Sequence, residues 1–267
     1  MSLNENFKDT YVALNGETVF IDSKTKLESE NSVIRDQLSR LLSGEKLGAV
    51  AAIRFLPFGV AERERIVSVF GNVVEEKADA YLLEVTKAHI TVYAHNLRGY
   101  LYGAATLRSH YRNGIQEGLI YNVPLVDFRA VKMYLPAEDK IGEFYYMVDM
   151  FMSYGYNAIV LEVGGAMEYK NHPEINDYWV EHCEIFNEYS HKADDLQHSQ
   201  HWGKNSIHTE NGGGKFLSQD LVREICAYVR AHGLEPIPEA PCLSHADYLM
   251  AGRTDFAERP EDPYPDT

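Results

Sequence analysis

The chain is poor in cysteine, in basic residues and in long apolar runs, and each shortage excludes something. Its three cysteines, Cys183, Cys226 and Cys242, are odd in number and share no metal-ligand spacing, so a disulfide framework is not expected and a reducing compartment suits them. Lys and Arg number 25 against 40 Asp and Glu, a formal net charge of −15. Binding a polyanion needs clustered cations, and no locally basic stretch offsets this balance, so nucleic acid is not an expected partner. No apolar run reaches the roughly 18 to 20 residues that span a bilayer. The opening residues, Met1 to Asp9, are polar and carry no leader pattern, so the expected location is cytoplasmic, without membrane contact. There is no Gly-x-Ser-x-Gly elbow and no Cys–His arrangement with useful context, which disfavours nucleophilic serine or cysteine chemistry. Hydrophobic residues, by contrast, make up 45% of the chain, enough for a sizeable core in one large or two ordinary domains. Eighteen Tyr and 11 Phe fill cores as readily as they stack on ligands, so composition alone assigns them no role.

Residues 1–123 read as a mixed α/β unit. Tyr11 to Leu14 and Thr18 to Ile21 flank Asn15-Gly16, a pair that favours a tight hairpin. Asn31 or Ser32 can cap a helix carrying Val33, Ile34, Leu38, Leu41 and Leu42 on one face, with Gly44 closing it. Ala49 to Phe55 reads as a buried strand ended by Pro57, and Tyr81 to Thr86 and Ile90 to Ala94 as two alternating strands. Leu97, Leu101, Ala104, Leu107 and Tyr111 mark a helix, and Gly118 to Asn122 another strand. Strands followed by a covering helix predict one sheet with helices on one face.

Residues 124–267 read differently. Phe128 to Met133 is strand-like, and Ile141, Phe144, Tyr145, Val148, Phe151 and Met152 form one apolar helical face with Gly155 at the C-cap position. Asn157 to Val163 is an apolar strand apart from Glu162, and after a polar stretch, Gly164 to Lys215, come a helix with Leu221, Val222, Ile225, Tyr228 and Val229, a closing Gly233, and the strand Leu234 to Ile237. Strand–helix alternation calls for parallel strands, as in a doubly wound sheet or a (β/α)8 barrel. The stretch is well short of the ~250 residues a barrel takes. The expectation is therefore a small α+β accessory domain followed by a partial (β/α)8 barrel, with the chain the front piece of a longer protein; a complete open sheet is the alternative.

Parallel α/β folds place working residues at the carboxyl ends of strands. Arg129, in the first strand of the second part, Glu162, near the end of the next, Glu239, after the third, and His245 just beyond are the candidates. Carboxylates accept from sugar hydroxyls and a guanidinium donates to two at once. An ion pair of Arg129 with Glu162 or Glu239 would satisfy the same residues without a ligand. The long polar stretch suggests a lid or binding loop; its Trp179 can stack on a sugar face or anchor the loop to the body. His172, His182, His191, His198, His201 and His208 match no helical zinc pair, and Gly212-Gly213-Gly214 lacks the Gly-Lys-Ser/Thr of a phosphate loop. No metal and no cofactor are expected.

The serial order of motifs resembles glycoside hydrolase family 20, the β-N-acetylhexosaminidases. Ala80 to Tyr111, "AYLLEVTKAHITVYAHNLRGYLYGAATLRSHY", is similar to the small α/β domain that precedes the catalytic barrel in that family, with Gly99-Tyr100-Leu101-Tyr102-Gly103 and Thr106-Leu107 at the matching helix. Pro124 to Ala130, "PLVDFRA", is loosely similar to the barrel lead-in, where Arg129 matches an arginine that binds hydroxyls of the terminal sugar. Phe216 to Ala246 resembles the stretch ending in Pro-Glu-x-Asp-x-Pro-Gly-His, with Pro238, Glu239 and His245 matching and Pro241 and Ser244 standing at the Asp and Gly. The family's His-x-Thr-Asp-Asp is replaced by Glu162-Val163-Gly164-Gly165, and its Leu-Asp-x-x-Arg has Tyr134 and Ala137 at the Asp and Arg.

The resemblance implies substrate-assisted, retaining hydrolysis of O-glycosyl bonds, in which the substrate's acetamido oxygen is the nucleophile, an aspartate orients it and an adjacent glutamic acid protonates the leaving oxygen. That Asp-Glu pair follows the fourth barrel strand in the family, and this sequence contains no Asp-Glu dipeptide. No catalytic residue is therefore assigned. Arg129, Glu162, Trp179, Glu239 and His245 are expected to bind carbohydrate, a terminal N-acetylhexosamine or related sugar, in a piece that does not itself hydrolyse. A non-catalytic carbohydrate-binding protein on the same scaffold is the alternative. Unpaired edges of an incomplete barrel invite association, so a homodimer is expected.

Overall fold

A computed structural model describes residues 8–71, 77–181, 183–184, 215–243, 246–250 and 252–260. The chain divides into two compact units: Met1–Arg129 with Asp149–Asn157 and Ala231–Leu234, and Ala130–Val148 with Ala158–Arg230 and Glu235–Thr267.

Unit 1 is built on a mixed sheet, six-stranded among the described residues, in the order β1-β6-β4-β5-β3-β2. The strands are β1 (Lys8–Val19), β2 (Lys26–Glu28), β3 (Ala52–Pro57), β4 (Tyr81–Val85), β5 (His89–Ala94) and β6 (Ile115–Pro124). The predicted β4–β5 hairpin forms, with Tyr81 opposite Ala94 and Val85 opposite Ile90. The predicted hairpin at Asn15-Gly16 does not. Residues on both sides of that pair lie in the single strand β1, which pairs antiparallel with β6, Tyr11 opposite Tyr121, with a register shift between Leu14 and Thr18. A local turn signal yields here to a partner strand that buries Tyr121 and Ile120.

Helices cover both faces of this sheet, not one. Helix α1 (Ser32–Leu38) is capped by Asn31, whose side chain accepts from the Ile34 N–H, and packs beside α3 (Leu97–His110). In α3, Gly103 lies where a Cβ would come within 2.3 Å of the Val92 side chain, so only glycine lets the helix approach β5 this closely. The other face carries α2 (Val60–Phe70), which the sequence analysis did not find. Its Ile66 and Phe70 join Phe58, Leu82, Tyr121 and Val123 in one apolar cluster.

Unit 2 is organised by three parallel strands in the order β7 (Ala130–Tyr134), β8 (Ala158–Glu162), β9 (Glu235–Glu239). Between them in sequence run α4 (Ile141–Ser153), followed by the predicted Gly155 at φ 86°, and α6 (Gln219–Ala231), followed by Gly233 at φ 76°. Both positive angles are those a glycine cap supplies. Val222, Ile225 and Val229 are the buried stripe of α6, and its Tyr228 stacks on Tyr145 of α4 with ring centroids 3.8 Å apart. In the described part of the polar stretch after β8, a 3-10 turn at Gly164–Ala166 leads to helix α5 over 173–181, and Met167 bridges Leu217 in parallel. A short helix α7, Asp247–Met250, follows β9. Glu239 accepts from the Val163 N–H, so Glu235, Ile237 and Glu239 face β8, and Pro236 and Pro238 remove two donors from the opposite edge.

Candidate functional site

The pairing register of unit 2 places Tyr134, Glu162 and Glu239 side by side as the last residues of β7, β8 and β9. All three line a hollow of about 410 Å³ at the carboxyl ends of the strands, a size that suits a small-molecule ligand. Lys132 lines it too, because strand side chains alternate and residue 132 shares a face with residue 134. Its Nζ donates to Glu162, at 2.9 Å from Oε2, and to Glu239, at 3.2 Å, and lies 5.6 Å from the centre of the Tyr134 ring. The hydrogen bond to Glu162 is the main reason the Lys132 pKa is raised; partial burial opposes it and Glu239 adds to it. The group between the two carboxylates is therefore an ammonium, and the hydrogens facing their oxygens are the lysine's.

The remaining wall is aromatic. Trp179, from α5, packs with Cys183 and Tyr248 into a small apolar cluster and lies close to Gly165, where an added Cβ would come within 2.5 Å of the indole. It is 6% exposed, so it anchors its segment and at the same time forms part of the hollow's floor. Tyr248 donates to the Pro241 carbonyl at 2.9 Å. Burial, followed by the neighbouring Tyr169, pushes its phenol up to about 12, so it remains a neutral donor at ordinary pH. Cys242 and Leu243, the latter largely exposed, complete the rim.

Arg129 is placed elsewhere. It precedes the first residue of β7, at the amino end of that strand, and is not among the residues lining the hollow. Arg129 is 4% exposed and its guanidinium is consumed within unit 1: Nε donates to the Gly155 carbonyl at 2.6 Å, one terminal nitrogen to the carbonyls of Val126 and Asp127, and the other to Asp79 at 2.7 Å and the Tyr102 hydroxyl at 3.4 Å. The ion pair that was the alternative for Arg129 is made with Asp79 and not with Glu162 or Glu239, and Lys132 takes the position between the two glutamates. Burial would raise the Asp79 carboxyl, but hydrogen bonds from Arg129 and Asn96 and the charges of Arg98 and Arg129 outweigh it and hold the group below the usual carboxylate range. The space beside this cluster is about 10 Å³, no more than one water needs. His245 and, in the polar stretch, His182, His191, His198, His201, His208 and Gly212-Gly213-Gly214 lie outside the described residues. His172 is described, with its Nδ1 3.1 Å from Glu174. Among the described residues no group of three or more His, Cys, Asp or Glu is placed to hold a metal, and no helix is long and apolar enough to cross a membrane.

No protein-family model matches the chain, and no curated protein matches its sequence. Solved structures match its fold. A family 20 β-N-acetylhexosaminidase from Streptomyces coelicolor A3(2) superposes with a TM-score of 0.63 at 16% identity, over 96% of this chain and 50% of that one. The fold is shared with family 20 glycoside hydrolases. A family 20 β-N-acetylglucosaminidase gives 0.61 at 16% identity over 98% and 50% of the two chains. A variant of the Streptomyces plicatus β-hexosaminidase in complex with its product GlcNAc gives 0.60 at 18% identity over 95% and 49%. The chain spans about half the length of these family 20 enzymes, and its architecture is a mixed α/β unit followed by part of a β/α barrel.

Lys132, Tyr134 and Tyr248 were missed at the sequence level. The first two had a signal: a lysine and a tyrosine of equal parity at the end of a parallel strand share the face on which Glu162 and Glu239 end theirs. Tyr248 had none, since its place depends on a helix following β9.

Proposed function

We propose that the hollow of unit 2 binds carbohydrate, a terminal N-acetylhexosamine or related sugar, and that the chain supplies sugar-binding groups to a glycosidase of the β-N-acetylhexosaminidase kind. The observation that carries this reading is the pair of carboxylates at adjacent strand ends, Glu162 and Glu239, opening into a hollow walled by Tyr134, Trp179 and Tyr248. Carboxylate oxygens accept from vicinal hydroxyls, Lys132 donates to a ring or hydroxyl oxygen, and aromatic faces cover the apolar C–H surface of a pyranose. His245 is proposed to join them from the segment after β9. The neighbouring enzymes are named for β-N-acetylhexosaminide chemistry, which supports the choice of sugar.

A second reading, a carbohydrate-binding protein without hydrolytic activity, is favoured by one specific feature. Lys132 donates to both glutamates of the hollow, so the hydrogens facing their oxygens are the lysine's and not acid protons offered to a leaving oxygen. Isothermal titration calorimetry of the full chain with N-acetylglucosamine, run beside hydrolysis of a chromogenic β-N-acetylglucosaminide, tests both. Binding without turnover is the expected result for this chain. Turnover that survives in the Glu162→Gln and Glu239→Gln variants would place an acid elsewhere, and absence of any sugar binding would end the proposal.

A further inference from the structure

The charges in the hollow do not balance. Among its described lining residues the fixed charges are those of Lys132, Glu162 and Glu239, one cation against two anions. Among these charged groups the donors do not balance either. Lys132 has three N–H donors, while two carboxylates offer four oxygens, each with more than one acceptor site. Among the described residues Glu239 Oε2, shielded from solvent, meets no well-directed hydrogen bond, and the ammonium of Lys132 lies 3.2 Å from it. A ligand that completes this site brings donors and a positive charge. The position of the Lys132 ammonium, between carboxylates and over an aromatic face, shows the chemistry the walls accept.

We infer that the hollow prefers a sugar bearing a free, protonated amine over its N-acetylated and its acidic counterparts. This rests on the carbohydrate reading above and narrows it to an amino sugar. An acetamido group offers one N–H and no charge, leaving the excess negative charge unmet. A uronic acid brings a third carboxylate to two that already share one cation. The chain's net charge of −15 adds a long-range field of the sign that draws a cationic sugar in.

The test compares three probes, D-glucosamine, N-acetylglucosamine and glucuronic acid, titrated into the full chain at about pH 6, below the range of ordinary amino groups. Glucosamine is expected to bind about tenfold or more tightly than N-acetylglucosamine, the span of a charge-assisted hydrogen bond, with glucuronic acid weakest. Glu239→Gln, which brings the three charges to balance, should weaken glucosamine more than N-acetylglucosamine and so abolish most of that preference. Lys132→Met should widen it. Equal or tighter binding of N-acetylglucosamine by the unaltered chain overturns the inference and leaves the carbohydrate reading standing. Failure of all three sugars to bind overturns both.

Discussion

The two units each hold a cluster of cations and carboxylates, and the clusters differ in almost every physical respect. In unit 1, Asp79 is 5% exposed and meets Arg98, Arg129 and Asn96, while every nitrogen of the Arg129 guanidinium has a partner. In unit 2, Lys132 and Glu239 are 48% and 36% exposed in their side chains, acceptors outnumber donors, and the space around them is roomy. A saturated, closed cluster has no donor left to offer a ligand and serves the fold. An unsaturated one at the mouth of a parallel sheet is where binding is to be sought. Resemblance by motif pointed at Arg129 as a sugar-binding residue; the hydrogen-bond inventory assigns it to unit 1's interior.

The contrast can be broken most forcefully at Asp79. Asp79→Ala leaves the buried Arg129 guanidinium without its counter-charge and should cost about 3–5 kcal/mol of stability, measured by denaturant unfolding. A loss under about 1 kcal/mol would mean that the cluster is not the closed unit described. Next in size is Gly165→Ala, whose methyl would overlap the indole of Trp179; about 1–3 kcal/mol is expected, together with weaker sugar binding as the floor shifts. Unchanged melting and affinity would show that Trp179 does not rest on this backbone.

Acid titration sharpens the comparison. The Asp79 pKa is depressed in the folded state, so its contribution is fully present above the ordinary value of 3.8 and is lost as pH falls through the lower folded value. Stability of the full chain should therefore drop below about pH 4 with a component that Asp79→Asn lacks; identical acid profiles of the two would contradict it. The smallest effect belongs to Lys132→Met. An exposed ion pair contributes about 0–1 kcal/mol, so thermal melting should stay nearly unchanged while the sugar preference moves.

Much of unit 2 was legible in the sequence because its signals are local. Apolar residues at helical spacing and the glycines after α4 and α6 marked helix ends, and short apolar runs marked β7 and β8. The failures were non-local or weakly patterned. Asn15-Gly16 carries a turn signal, yet β1 runs on through it as one strand, with a register shift, paired to β6 some hundred residues on. Helix α2 escaped because only Ile66 of its eleven residues is fully buried, and its start is a glycine whose N–H is met by Glu62 at 2.8 Å instead of a Ser, Thr or Asp cap. Glu162 and Glu239 were found from strand ends alone. Their shared lysine was not, since lysine in a strand ordinarily faces water and its parity with Tyr134 becomes informative once the register of the three strands is known.

The central claim, that the open cluster and not the closed one meets the sugar, is tested most directly by the sugar dissociation constant of two variants of the full chain. One is Glu162→Gln with Glu239→Gln; the other is Asp79→Asn, assayed at a temperature where it remains folded. Affinity lost by about tenfold or more in the first, with melting little changed, and retained in the second is the predicted result. Affinity retained in the double variant and lost in Asp79→Asn while folded would contradict the account.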